Sequence, residues 1–91
     1  MEEFRQLIEE MAELTQSIVK LSRVLDNDPT LAPGITLQSA YASVVEEISD
    51  VCICINEVIA TCNCVDDVNE IMEAKIQRKQ ERINENLAQN A

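Results

Sequence analysis

Both prolines and the only glycine of this chain stand within eleven residues, DNDPTLAPGIT, Asp26 to Thr36. Proline lacks a backbone donor and disfavours helix in the residue before it, so this stretch must interrupt any helix. The segments on either side are long and periodic. From Phe4 to Leu25 the apolar residues Phe4, Leu7, Ile8, Met11, Leu14, Ile18, Leu21 and Leu25 recur at three- and four-residue steps, the period of an amphipathic helix. A second helix is expected from about Leu37 to Cys62, with Tyr41, Val44, Val45, Ile48, Cys52, Ile55 and Ile59 toward a core. A third follows the turn around NCVDD. There Asp67, with Glu70 three residues later, reads as a capping box with Asp at the N-cap, and the seam Val68, Met72, Ile76, Ile83 and Leu87 continues the period.

The expected helices thus cover about residues 3–25, 37–62 and 67–87, with no strand alternation. The fold class is all-α: an antiparallel helical bundle of three long helices in a single domain, residues 1–91. A chain of 91 residues buries only a modest core. Its spare apolar flanks imply a core completed by oligomerisation, as a homodimer or a dimer of dimers.

Charge narrows the partners. Seventeen acids against seven bases give a net charge of −10. Such a surface does not attract a nucleic-acid polymer or an anionic membrane, but it can concentrate divalent cations. Neither a membrane-spanning apolar run nor a secretory leader is read, and a cytoplasmic setting is expected. The absence of histidine removes most catalytic triads, most catalytic zinc sites and the Glu-x-x-His half-site of di-iron bundles. The four cysteines form Cys52-x-Cys54 and Cys62-x-Cys64. Residues two apart on a helix point about 200° from each other, so Cys52 and Cys54 do not readily share a metal. All four read as small packing residues in a reducing compartment.

Against that background two carboxylate pairs stand out. Glu10 and Glu13 lie three residues apart on one flank of the first apolar stripe, and Glu47 and Asp50 do the same on the second helix. No lysine or arginine stands three or four positions from any of them. Four carboxylates converging from two packed helices must protonate, turn to water or share a cation. An all-oxygen donor set suits Mg²⁺ or Mn²⁺. The third helix carries the opposite charge. Lys75, Lys79 and Arg82 form a row at i, i+4 and i+7, and Lys79 falls on the apolar seam between Ile76 and Ile83. A row of like cations beside a core calls for an anion, either metal-bound phosphate or the carboxylates of another helix.

The segments IEEMAELTQSIVKLSR and VVEEISDVCICI resemble the all-α nucleoside triphosphate pyrophosphohydrolases of the MazG-like type, over about residues 4 to 83. The family mark, Glu-Glu-x-x-Glu, a spacer, then Glu-x-x-Asp, reads here as Glu9-Glu10-Met11-Ala12-Glu13 and Glu47-Ile48-Ser49-Asp50. The resemblance implies that Glu10, Glu13, Glu47 and Asp50 are catalytic and bind Mg²⁺. It further implies that a nucleoside triphosphate, (d)NTP, is split to a monophosphate and pyrophosphate. Lys75, Lys79 and Arg82 would meet the phosphates, and Phe4, Ile8 or Tyr41 would wall the base. Two departures are visible. Thirty-three residues separate Glu13 from Glu47, a longer spacer than usual, and Lys79 stands where the family often has asparagine. Two rival readings are a non-catalytic helical interaction module and an inactive nucleotide-binding relative.

Overall fold

The structure, a computed structural model, describes residues 1–90 and is all-α. Three helices follow in order, α1 (Glu2–Leu25), α2 (Leu37–Cys62) and α3 (Val65–Gln89), with no strand among the described residues. None is long and apolar enough to cross a membrane. The chain forms two compact units, Met1–Thr61 and Cys62–Ala91.

In the first unit α1 ends as the proline-rich stretch requires. Asn27 takes the left-handed φ of 54°, which asparagine tolerates better than most residues. Around it Asp28 N donates to Arg23 O and Asn27 N donates to Val24 O, the bonding pattern of a Schellman cap. The loop is then clasped by side chains. Arg23 Nε donates to Asp28 Oδ2 at 2.9 Å, and Thr30 donates through N and Oγ1 to Asp28 Oδ1 at 2.8 and 2.7 Å. These bonds, with the Arg23 charge, hold the Asp28 carboxyl down at about 2. Gly34, at φ 89°, makes a turn that a side chain would strain. Helix α2 then starts with a reciprocal cap, Ser39 N donating to Thr36 Oγ1 and Thr36 N to Ser39 Oγ.

Helices α1 and α2 meet in opposite chain directions. Ser17 shares a 3.3 Å hydroxyl–hydroxyl bond with Ser43, and Glu13, nearer the start of α1, reaches Glu47, further along α2. The covered face of α2 is Ala40, Val44, Val51 and Cys54, which with half-buried Glu47 follows a strict 4-3-4-3 spacing. Its counterpart on α1 is half-buried Leu7, Glu10, Leu14 and Leu21 with buried Ser17, at the same kind of spacing. Ala40, at 1% exposure, is the most completely covered residue of this face. The expected α2 core face needs correction. Val44 is buried and Ile59 half-buried, but Tyr41, Val45, Ile48, Cys52 and Ile55 are exposed. On α1 the bulky residues Ile8, Met11, Ile18 and Leu25 also stand exposed. The covered face of α2 is thus made of its smaller residues, with the leucines of α1 on the facing stripe, and the larger apolar stripe is left outside.

In the second unit Asn63, at the left-handed φ of 51°, breaks the helix between Cys62 and Val65. Helix α3 therefore begins at Val65, two residues before the expected start. Its N-cap is Cys64, without a side-chain cap bond, so the capping box expected at Asp67 does not form. Asp66 and Asp67 lie instead inside the first turn, where their charges still favour the helix N-terminus. No residue of α3 is buried; Met72, Ile76, Ile83 and Leu87 of the expected seam are exposed, and Val68 is half-buried.

Candidate metal and phosphate site

The 4-3-4-3 seam explains why carboxylates meet. Glu10 and Glu47 occupy packing positions in it, so the approach of α1 and α2 drives both side chains inward. Carboxylate oxygens of Glu10, Glu13 and Glu47 all lie within 4.8 Å of one another. Glu13 is exposed, while Glu10 and Glu47 are half-buried. Asp50 is not in the trio, but its charge acts on both Glu10 and Glu47, and it shares a groove with Glu10.

Electrostatics record the strain. Loss of solvent, then the charges of Glu13, Asp50 and Glu47, push the Glu10 carboxyl above the ordinary glutamate range. Glu47 rises through loss of solvent, followed by the charges of Glu13, Asp50 and Glu46. Proximity to Glu13 adds to both, because a proton held between two carboxyl groups favours the neutral form. When all are ionised, only acceptors face one another. Glu10 Oε2 and Glu47 Oε2 are each shielded from solvent and receive no hydrogen bond. The basic residues of this unit are engaged elsewhere or absent from the cluster: Arg5 pairs with Glu2 and Arg23 with Asp28. Shielded oxygens without a donor, in an all-oxygen set, fit a hard divalent cation better than any group the unit itself supplies.

Beside the trio lies an open groove of about 360 Å³ lined by Gln6, Glu9, Glu10, Asp50, Ile53, Cys54 and Glu57. Phe4, Ile8 and Tyr41, the expected base walls, are not among its lining residues and are exposed. Ile53 and Cys54 supply the apolar wall instead. Cys54 is buried and its thiol is pushed up, first by loss of solvent and then by Glu57, Glu10 and Asp50. The thiol therefore stays protonated and serves as an apolar surface. Sequence reasoning missed Gln6, Ile53, Cys54 and Glu57. The signal was present in the seven-residue spacing that carries Ala40, Glu47 and Cys54 along one edge of α2.

On α3, Lys75, Lys79 and Arg82 line a common groove of about 410 Å³, joined by Arg78. All four are exposed. No family model, curated protein or solved structure matches this chain.

Proposed function

We propose that this chain is a nucleoside triphosphate pyrophosphohydrolase that works with Mg²⁺ and yields a nucleoside monophosphate and pyrophosphate. The observation that carries the reading is the pair of donor-less, solvent-shielded oxygens, Glu10 Oε2 and Glu47 Oε2, within one carboxylate trio. Glu10, Glu13 and Glu47 would hold the metal directly, and Asp50 would complete the set from the adjoining groove. Mg²⁺ bound there would supply charge for the phosphate oxygens and would orient and acidify a water that attacks once a nearby carboxylate takes its proton. Mn²⁺ satisfies the same donors.

The remaining work falls to side chains. The hairpin seam fixes Glu10 and Glu47 before substrate arrives, so little reorganisation is needed on binding. Exposed Ile53 and buried Cys54 give one wall of the groove an apolar lining, which would receive the nucleoside end. On the second unit, Lys75, Lys79 and Arg82 carry the charge that suits phosphate oxygens. Glu9 and Glu46 are the candidate proton acceptors; both are exposed, and of the two Glu9 lines the groove.

The exposed stripe Ile8, Met11, Ile18, Tyr41, Val45, Ile48 and Ile55 is too apolar and too extended to be left in water. In this reading it is covered in a homodimer or dimer of dimers, which completes an antiparallel helical bundle. The deciding experiment is pyrophosphate release from the eight common (d)NTPs, with Mg²⁺ and with EDTA. Turnover that needs Mg²⁺ supports the proposal. Tight nucleotide binding without turnover would identify an inactive relative, and absence of stoichiometric Mg²⁺ binding would leave an interaction module.

A further inference from the structure

We infer that the groove beside the carboxylate trio selects guanine, with Glu57 as the residue that reads the base. The preferred substrate class of the proposed hydrolase is then a guanine nucleoside triphosphate. This deepens the hydrolase reading and rests on it for where the phosphates lie.

The register of the hairpin orders the groove. Ser17 meets Ser43, and Glu13, one turn earlier on α1, meets Glu47, one turn later on α2. The same antiparallel step sets Glu10 level with Asp50 and Gln6 level with Cys54, and all four line the groove. Ile53 stands beside Cys54, and Glu57 follows about a turn further along α2. The groove therefore runs from a metal end at Glu10 and Asp50, past an apolar wall, to a far end at Gln6 and Glu57. Every member belongs to the first unit. Asp50 and Glu57 are seven residues apart, a rise of about 10 Å. That is comparable to the reach from the α-phosphate of a nucleotide to the far edge of a purine, and a pyrimidine falls short of it.

The far end chooses between the purines. A carboxylate only accepts hydrogen bonds, while the Gln6 amide both donates and accepts. Gln6 and Glu57 are open to solvent, and neither has a side-chain hydrogen bond or ion pair among the described residues. No lysine or arginine lines the groove. The far edge of guanine carries two adjacent donors, N1–H and the 2-amino group, which match the two oxygens of one carboxylate. Its O6, next to N1, accepts from an amide such as that of Gln6. Adenine offers one amino group beside the bare lone pair of N1, which a carboxylate repels.

Initial rates of pyrophosphate release from dGTP, dITP and dATP, with Mg²⁺ and the full chain, test it. The kcat/KM for dGTP is expected to exceed that for dATP by about tenfold or more, the discrimination of one bidentate base contact. dITP, whose base lacks the 2-amino group, is expected between them. Glu57→Gln offers one donor and one acceptor, a pattern that suits adenine, so the ratio of dGTP to dATP should fall by about tenfold. The ratio cancels any general effect of the lost charge or of partial unfolding. Rates for dGTP and dATP within about threefold of each other, or an unchanged ratio in Glu57→Gln, overturn the inference and leave the hydrolase intact. If no nucleotide turns over, the hydrolase reading fails, and titration calorimetry with the same nucleotides and Mg²⁺ decides the base. A Kd about tenfold lower for dGTP than for dATP, with the difference lost in Glu57→Gln, then supports guanine selection; equal affinities or no binding overturn it.

Discussion

Replacing Glu47 by glutamine keeps the shape of the side chain and removes one of three carboxylates whose oxygens lie within 4.8 Å of one another. The change acts with opposite sign in two conditions. Without a divalent ion it relieves repulsion at a site already short of solvent and donors, so the variant should melt at the same temperature as the parent or higher. With Mg²⁺ it removes a ligand, and affinity should fall on the order of 100-fold, at the upper end of what even indirect ligand changes cost. At a Mg²⁺ concentration 100 times the parent's Kd, binding stabilises the parent by about 2.7 kcal/mol. For a domain of this size each kcal/mol moves Tm by about 4–8 °C, giving a rise above about 10 °C. The variant, then near its own Kd, gains about 0.4 kcal/mol and roughly 2–3 °C. Thermal melts by circular dichroism with Mg²⁺ or EDTA, at fixed protein concentration, read both effects. Equal Mg²⁺ stabilisation of the two proteins would refute the ligand role. A variant that melts well below the parent in EDTA would make Glu47 a structural partner instead.

The same carboxylates set a pH dependence. Glu10 and Glu47 are raised in the fold, so their contribution to stability is fully present below the ordinary glutamate value and lost as pH rises through the raised ones. In EDTA the Tm should climb as pH falls from 7 toward 5, and in Mg²⁺ the trend should reverse because protons compete for the ligands; a flat EDTA profile counts against a crowded cluster. Val51→Ala takes two methyl groups from a 7%-exposed seam position and should cost about 2 kcal/mol in urea melts, whereas a change below about 0.5 kcal/mol would mean the seam is not the packing face. Ile48→Glu charges the exposed stripe without touching the seam. It should shift light-scattering mass toward the monomer while helix content is retained, and an unchanged mass would show that the stripe is not an interface.

The helices were legible because their punctuation is local. Pro29, Pro33 and Gly34 forced the first break, and the boundaries of α1 and α2 follow the hydrophobic period nearly to the residue. The carboxylate pairs could also be read from a spacing of three on each helix; of their members Glu10, Glu13 and Glu47 come together, and Asp50 stays outside the trio. What failed was the choice of face. The helical period picked Val44 and Ile59 together with Tyr41, Val45, Ile48, Cys52 and Ile55, while the hairpin closes on Ala40, Val44, Val51 and Cys54. Close packing of two helices rewards small residues at the point of approach, and hydropathy does not record that. The start of α3 failed for another reason. The left-handed backbone of Asn63 ends the helix there and Cys64 takes the N-cap position, so Asp67 was not required as a cap.

Placed on the seam that does form, the two glutamates change meaning. On the wheel they flank an apolar stripe, as charges on ordinary surface helices do. In the hairpin they interrupt a run of packing positions, between Leu7 and Leu14 on α1 and between Val44 and Val51 on α2. An apolar side chain at either place would pack without repulsion, and replacing buried charge by well-packed carbon is commonly neutral or stabilising. A local rule broken at two facing positions, with neighbouring rules obeyed, is the pattern of a site whose chemistry outweighs its cost to the fold. Chance placement of acids does not explain it well, because seventeen acids had ample exposed helix to occupy. The convergence of Glu10 and Glu47 with Glu13, on a seam otherwise made of leucines, small apolar residues and one serine pair, is therefore the strongest physical reason to look for a divalent cation there.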